Sequence, residues 1–542
     1  MFFDKNKNLS LFRRSWGKQI NKFRDMDLIS IYLNKLNKSN DENFVDKRTW
    51  EDLNFNSIFA KIDRCTSSIG QQYLYYMLHK YEKDESQLKE RFGLFHYFKT
   101  SSRFRGTVHL CLLNLKNVNA YFIPHIILDS NLPYNKFYPG FYFLSLLSVA
   151  AIIAIFHSGI YLFAALAVIL MNIIINKYYE GKIYNYFTGF SSLNSLISSA
   201  RVIANIKTEY PVKEIEYLKS KKALLKQLNL KLGYLVIDKS SLNELLAAFI
   251  EYLNMLFLFD IITYFRSVST LLHHQEEIHE IYKAVAKLDA SLSVASYLQE
   301  LPNYTQPEFI NTCDLSFENL YHPLIKDAVP NSLSNLKDSS LITGSNMSGK
   351  TTFIKTIGIN FIFAQTLYIS LAQKFIIPPY KVKTAIKRED DLEGSKSYFF
   401  AEIEELQEFI ELSEKDSNNI FLIDEIFRGT NTVERLAAST SVLKYLDNNN
   451  MVLVTTHDIE LQYLLHNKFK VFHFSDKVED GKFFFDYKIH PGPCSSGNAI
   501  KLLEIKSYPK IITAEAFQIS NKLLKANAVD ENKYRDIMNE KS

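Results

Sequence analysis

The octapeptide Gly344-Ser-Asn-Met-Ser-Gly-Lys-Thr351, entered from Ser340-Leu-Ile-Thr343 and followed by Thr352-Phe-Ile-Lys-Thr-Ile-Gly358, constrains the fold of this 542-residue chain more than any other stretch. It fits Gly-x4-Gly-Lys-[Ser/Thr], which requires a strand, a tight turn and a helix in succession. Glycines let backbone N–H groups close around phosphate oxygens, and the helix that follows points its positive end at them. Gly344, Ser345, Asn346, Met347, Ser348, Gly349, Lys350, Thr351 and Thr352 are therefore the expected contacts of a nucleoside triphosphate. In such a loop Lys350 reaches the outer phosphates and the Thr351 hydroxyl holds Mg²⁺.

About seventy residues later, Asn419-Ile-Phe-Leu-Ile-Asp-Glu425 reads as an apolar strand ending in two acids. Met451-Val-Leu-Val-Thr-Thr456 reads as a third strand and ends at His457. Strands of one parallel sheet deliver their C-terminal residues to one edge. Asp424 is thus expected to bind Mg²⁺ through water, Glu425 to position or polarise an attacking water, and His457 to sense the γ-phosphate. Lys350, Glu425 and His457 form the expected catalytic set. A strand-end acid alone is usually a solvated turn residue; three strands ending in this order point to an ABC-type P-loop ATPase.

Composition sets the frame around that site. A chain of this length has room for two to four domains, and 47% hydrophobic residues suffice for a large core. Cys65, Cys111, Cys313 and Cys494 lie far apart without a Cys-x-x-Cys pair, which points away from zinc or a disulfide framework. The net charge of +4 is a small excess of 63 basic over 59 acidic residues and indicates no polyanionic partner by itself.

Local clustering says more. Residues 5–24 hold Lys5, Lys7, Arg13, Arg14, Lys18, Lys22 and Arg24 with no acid, interleaved with Leu9, Leu11, Phe12, Trp16, Ile20 and Phe23. That pattern suits a basic amphipathic helix on an anionic membrane surface, or a solvated terminus. Residues 137–176 contain no Asp, Glu, Lys or Arg. Forty such residues hold two spans of about twenty, with His157-Ser-Gly159 as the break. Lys136 at one outer end and Lys177 and Lys182 at the other place both ends in the cytoplasm. The competing reading is a buried hairpin of a soluble core. Residues 245–265 are apolar too, but Glu251, Asn254 and Asp260 favour a long buried or interface helix over a third span.

Between 182 and 301 the chain is nearly free of proline and reads as long helices, whereas beyond Pro302 short β-branched runs alternate with helical stretches. A boundary near 305 follows. The expected organisation is a basic segment 1–45, an all-α domain 46–305 carrying the transmembrane hairpin 137–176, an α/β domain 306–525 and a charged tail 526–542.

The motifs together resemble the MutS family of DNA mismatch repair proteins. Ile342-Thr-Gly-Ser-Asn-Met-Ser-Gly-Lys-Thr-Thr-Phe353 is similar to the family's Thr-Gly-Pro-Asn-Met-Gly-Gly-Lys-Ser-Thr, and Asp424-Glu-Ile-Phe-Arg-Gly-Thr-Asn-Thr432 to its Asp-Glu-Ile-Gly-Arg-Gly-Thr-Ser-Thr. Thr456-His457 matches its Thr-His pair. Asp390-Asp-Leu-Glu-Gly-Ser-Lys-Ser-Tyr-Phe-Phe-Ala-Glu402 resembles its signature segment, which implies that Ser397 reaches the ATP of a partner subunit. Weaker likeness extends over residues 50–525, including Leu288-Asp-Ala-Ser-Leu-Ser-Val-Ala295 at the end of the lever helices.

The resemblance implies an ABC-type ATPase domain behind a helical core and lever domain, ATP and Mg²⁺ as cofactors, a homodimer closing through its ATPase domains, and DNA as a binding partner. The departures shape these expectations. Some fifty residues precede the core-like part, so a mismatch-reading domain is not expected. Ala385 replaces an arginine, and Ala328 and Val329 stand where an aromatic that stacks on adenine is expected. The hairpin implies a cytoplasmic (inner) membrane protein with two spans and its ATPase in the cytoplasm. The alternative is an ATP-driven membrane machine whose levers move the hairpin, without DNA.

Overall fold

The computed structural model describes residues 5–36, 43–129, 132–133, 135, 137–232, 244–345, 347–386, 398–415, 418–427, 430–448, 450–479, 482–493, 503–506, 508–520 and 522. The chain divides into two compact units. One comprises residues 1–41, 60–77 and 93–300, and the other 42–59, 78–92 and 301–542.

Ten strands are described, all in the second unit: β1 (Glu308–Phe309), β2 (Leu315–Leu320), β3 (Asn331–Leu336), β4 (Ser340–Thr343), β5 (Lys374–Ile377), β6 (Lys381–Ala385), β7 (Asn419–Asp424), β8 (Met451–Thr456), β9 (Lys470–Glu479) and β10 (Lys482–Pro491). Six form a sheet in the order β10-β9-β4-β8-β7-β6, parallel except for the β9–β10 hairpin. β4, β7 and β8 are buried along nearly their whole length, which explains their continuous apolar runs. One face packs Phe421, Ile423, Val452 and Val454 with Leu406, Phe409, Leu436 and Leu443 from the helices Tyr398–Lys415 and Thr432–Leu446. On the other lies Lys350–Leu367, almost entirely buried. Gly358 permits this approach: a Cβ there would sit 2.6 Å from a Leu422 methyl. A smaller sheet, β1-β5-β2-β3, completes the unit.

Residues 42–59 and 78–92 belong with these sheets, unlike the expected grouping of 46–305 as one domain. Hydrogen bonds account for it. Buried Asp52 accepts from the Thr384 hydroxyl (2.8 Å) and the Ile386 amide (3.1 Å), and Glu82 donates its amide to the Gln365 carbonyl. Such long-range bonds leave no local signature in sequence.

The first unit is helical among its described residues. The helix Gln275–Glu300 runs through its core, and its Asp289, fully buried, accepts the amides of Thr66 and Ser67 at the start of the helix Ser68–His79. The helix Tyr161–Ile203 has 43 residues, hence a length of about 65 Å. Its second half buries Leu193, Leu196, Ile197, Ala200 and Ile203, while its first half exposes Phe163, Leu166, Leu170 and Ile174.

The N-terminal helix Lys5–Ser15 makes contacts within this unit. Its apolar side faces the helix Ser102–Leu112: Leu9 meets Gly106, Phe12 stacks on His109 at 4.0 Å, and the Trp16 that follows lies under the Arg105 guanidinium. Lys22 and Arg24 bind the buried Asp63. Leu9, Phe12 and Trp16 are thus partly covered within the unit, while Leu11 and Phe23 stay exposed.

The charge-free region 137–176 forms two apolar helices, Pro139–Ile155 and the start of Tyr161–Ile203, joined at 156–160. Of the described helices, one stretch, Tyr161–Tyr179, is long and apolar enough by itself to cross a membrane, and Pro139–Ile155 is shorter. Of the two spans expected from the sequence, one is long enough by itself, and 11% of its apolar window is buried within the chain. The pair is pinned by Asn172, whose Nδ2 donates to Ser148 Oγ (2.8 Å) and the Leu256 carbonyl (2.7 Å). Residues 245–265 do not form the one long helix expected from their apolar character. Leu258 is left-handed (φ 55°) and separates Glu244–Phe257 from Phe259–Leu272, with a 70° bend. Across the break, Asn254 Oδ1 accepts the Asp260 amide at 2.7 Å. Cys65, Cys111 and Cys313 are free thiols; Cys494 and the tail 526–542 lie outside the described residues.

Candidate functional site

Sheet register assembles the site. Thr343 at the end of β4 pairs with Thr456 at the end of β8, and Thr455 pairs with Asp424 at the end of β7. Three strand ends therefore present the phosphate loop, Asp424-Glu425 and His457 at one edge, as the motif order requires.

The loop from β4 into Lys350–Leu367 is built on two positive-φ glycines, Gly344 (145°) and Gly349 (107°). A Cβ on Gly344 would lie 2.8 Å from the Phe474 carbonyl oxygen, so no other residue fits there. Met347 also has positive φ (70°) and projects outward. Lys350 Nζ donates to the Gly344 and Ser345 carbonyls at 2.7 and 2.8 Å, and Ser348 Oγ donates to the Ser345 carbonyl at 2.8 Å, tying the turn together. No side chain caps the N-terminus of Lys350–Leu367. Its first amides thus face an anion site of the kind a phosphate fills.

Beside the loop, Thr351 Oγ1 donates to Asp424 Oδ2 at 2.8 Å, and Thr455 Oγ1 donates to Asp424 Oδ1. A hydroxyl and a carboxylate side by side are the hard oxygen donors that Mg²⁺ takes when phosphate oxygens and waters supply the rest. The donor set fits that ion. Glu425 follows in a left-handed conformation (φ 60°), unfavourable for a non-glycine residue by about 1–3 kcal/mol. Its amide donates to the Thr455 carbonyl at 2.9 Å, and its Oε1 lies 2.7 Å from His457 Nε2. The His457 turn is anchored behind by a bidentate pair, Arg435 to Asp458 at 2.7 and 2.8 Å.

A cavity of about 530 Å³ opens onto the loop. Ser345, Met347, Gly349, Lys350, Thr351, Thr352 and Glu425 line it; Gly344 and Ser348 shape the turn, Asp424 joins through Thr351, and His457 through Glu425. Asn346, Ser397 with the segment 390–396, and Arg428-Gly429 lie outside the described residues. Ala328 and Val329 do line the cavity, yet so do Tyr321, His322, Phe474 and Tyr487. Aromatic surface is present after all, contributed by other strands and loops. Tyr487 reaches the cavity because β10 bulges between Phe485 and Ile489, and Asn331 holds that bulge through the Tyr487 carbonyl (3.0 Å) and the Ile489 amide (2.8 Å). A tyrosine on a distant hairpin carries no local signal of this role.

Acidic groups cluster behind the site on Tyr398–Lys415. Burial, reinforced by Asp52, Glu402 and Glu408 and opposed by the Arg48 guanidinium at 3.3 Å, pushes Glu405 up to about 7. Burial likewise lowers the Lys355 ammonium, against the pull of Asp52 and Asp424. Glu405 is raised above its ordinary 4.5, so its contribution to stability is complete below that value and is lost as pH rises through about 7. Glu405→Gln removes this titration, and its melting temperature is expected to fall less than that of the parent between pH 5 and 8; thermal melts across that range check it.

Residues 340–524 match the sequence family described as MutS domain V. The chain is similar to the DNA mismatch repair protein MutS of Lactobacillus delbrueckii subsp. bulgaricus, with 32% identity over 265 residues, 46% of this chain and 30% of that protein. MutS of Thermus thermophilus is 30% identical over 245 residues, covering 44% and 30% of the two chains. Petrotoga mobilis MutS is 29% identical over 294 residues, covering 51% and 35%. The chain thus spans about a third of the length of these relatives.

Proposed function

We propose, for a chain that belongs to the MutS family through its domain V, an ATPase that binds Mg²⁺–ATP on the 344–351 loop and hydrolyses it with Glu425. The observation that carries this reading is the shared sheet edge: Lys350, the Thr351–Asp424 pair and the Glu425–His457 pair come together around one cavity of suitable size. Magnesium, when bound, offsets charge on the phosphate oxygens. Thr351 and Asp424 hold it, Lys350 and the helix N-terminus bind the phosphates, and Glu425 orients a water and takes its proton. His457 fixes the Glu425 carboxylate at 2.7 Å.

The wider assignments follow the relatives. Those proteins are named for DNA mismatch repair, and we extend DNA binding, a homodimer closing through domain V and completion of each site by the partner's Ser397 to this chain as proposals. Duplex and branched DNA added at low salt should change the ATPase rate, with steep loss of the effect as salt rises. An unchanged rate, with no DNA bound, rejects the DNA assignment.

Membrane anchoring through 137–176 is the second proposal, supported by the exposed apolar side chains of both helices, among them Phe143, Leu146, Ile153, Phe163 and Ile174. It places the protein in the cytoplasmic membrane with domain V in the cytoplasm. Retention of the protein in membranes after carbonate extraction supports it, and release rejects it. The alternative, a machine that moves the hairpin without DNA, draws on the continuity of Tyr161–Ile203: one helix carries both the apolar stretch and core residues such as Leu196 and Ile203, so motion of the core would reach the hairpin rigidly.

A further inference from the structure

We propose that Glu402 is a positioning residue of the ATPase site, holding from outside the backbone turn that presents Glu425; the effect on turnover rests on the ATPase reading above.

Between Asp424 and Arg428 the chain contains two left-handed non-glycine residues, Glu425 (φ 60°) and Phe427 (φ 57°), with Ile426 between them. Neither glutamate nor phenylalanine favours that region, unlike glycine or asparagine, so the turn persists only where its surroundings determine it. Three restraints on it are described. At its start, the Glu425 amide donates to the Thr455 carbonyl, extending the pairing of β7 with β8. In its middle, the Ile426 and Phe427 side chains are buried in the core between the sheet and the helices Tyr398–Lys415 and Thr432–Leu446. At its end, the Phe427 amide donates to Glu402 Oε1, from the first turns of Tyr398–Lys415.

The third restraint differs in kind from the other two. A half-buried carboxylate receives a main-chain N–H, a charge-assisted bond stronger than its neutral counterpart. It joins a helix outside the phosphate loop to the residue two positions past the catalytic carboxylate. Without an acceptor at 402, the Phe427 amide loses this bond, the left-handed pair has one restraint fewer, and the Glu425 carboxylate departs from the position in which it meets His457. Ground-state contacts of ATP with Lys350 and Thr351 do not pass through this turn. The consequence should therefore fall on kcat rather than on nucleotide affinity.

Three variants of the full-length protein in detergent decide it. Glu402→Gln keeps a carbonyl acceptor of the same length, Glu402→Met keeps the volume without an acceptor, and Glu402→Asp keeps the charge but shortens the reach by one methylene. The expected result is kcat within about threefold of the parent for Gln and about tenfold or more lower for Met and Asp, with KM for ATP within about twofold throughout. Hydrogen exchange without nucleotide, read on a peptide covering 424–427, should be as slow in the Gln variant as in the parent and faster in Met and Asp. Parental kcat in Met and Asp, or equally slow exchange in all four proteins, overturns the assignment. Should Met not fold, Asp carries the same comparison. A parental protein that hydrolyses no ATP rejects the ATPase reading, while the exchange data still decide whether Glu402 holds the turn.

Discussion

Glu425→Gln is expected to lower ATP turnover by about 10³-fold, the range general-base removal commands, and to leave ATP affinity within a few-fold of the parent. Glutamine preserves the size and one acceptor oxygen of the side chain but cannot take a proton from water at neutral pH. The environment of Glu425 sharpens this expectation. Its backbone is left-handed and tied to Thr455, its Oε1 sits 2.7 Å from His457 Nε2, and its side chain is largely buried at the cavity wall. A left-handed residue beside the phosphate loop, with its carboxylate at the cavity wall, is a candidate for chemistry. Binding should survive because the contacts that hold phosphate, Lys350, Thr351 and the helix N-terminus, remain intact. Single-turnover hydrolysis together with equilibrium binding of a fluorescent ATP analogue measures both halves. Turnover at the parental rate would remove Glu425 from its role.

Lys350→Ala is expected to act in the complementary direction, weakening ATP binding by about 10²-fold or more, equivalent to roughly 3 kcal/mol for two charge-assisted bonds to phosphate. Lys350 is nearly fully buried and bonds the Gly344 and Ser345 carbonyls at 2.7 and 2.8 Å. Its ammonium thus spans the loop from within, poised where phosphate oxygens enter. Alanine removes both the cation and the strut, so the loop itself is expected to loosen. Titration with the same analogue, read beside circular dichroism to confirm that the sheet persists, checks it. Affinity equal to the parent would place the nucleotide elsewhere.

The parts of this site that reside in contiguous residues are legible in the sequence. β7 and β8 announce themselves because a central parallel strand is buried on both faces and is therefore rich in apolar residues. The acids and the histidine at their ends can be assigned to one edge because parallel strands point the same way. The parts that are not legible depend on distant partners. Tyr487 enters the cavity only because Asn331, some 150 residues earlier, fixes a bulge in β10. Glu402 looks like any charge on an amphipathic helix until Phe427 is seen to donate to it. The same holds for the fold: Asp52 ties residues 42–59 to β6 through hydrogen bonds across more than 300 positions, and a left-handed Leu258 breaks an apolar run whose composition suggests one continuous helix.

One measurement bears most directly on the central assignment, that the 344–351 loop, Asp424 and Glu425 make a single Mg²⁺–ATP site. The purified 542-residue protein is given radiolabelled ATP in one turnover, with Mg²⁺ or with EDTA, and bound nucleotide and released phosphate are followed together for the parent, Asp424→Asn and Glu425→Gln. The expected result is phosphate release by the parent only with Mg²⁺, retention of uncleaved ATP by Glu425→Gln, and loss of the Mg²⁺ dependence of binding in Asp424→Asn. Phosphate release that proceeds in EDTA, or that is unchanged in both variants, would contradict it.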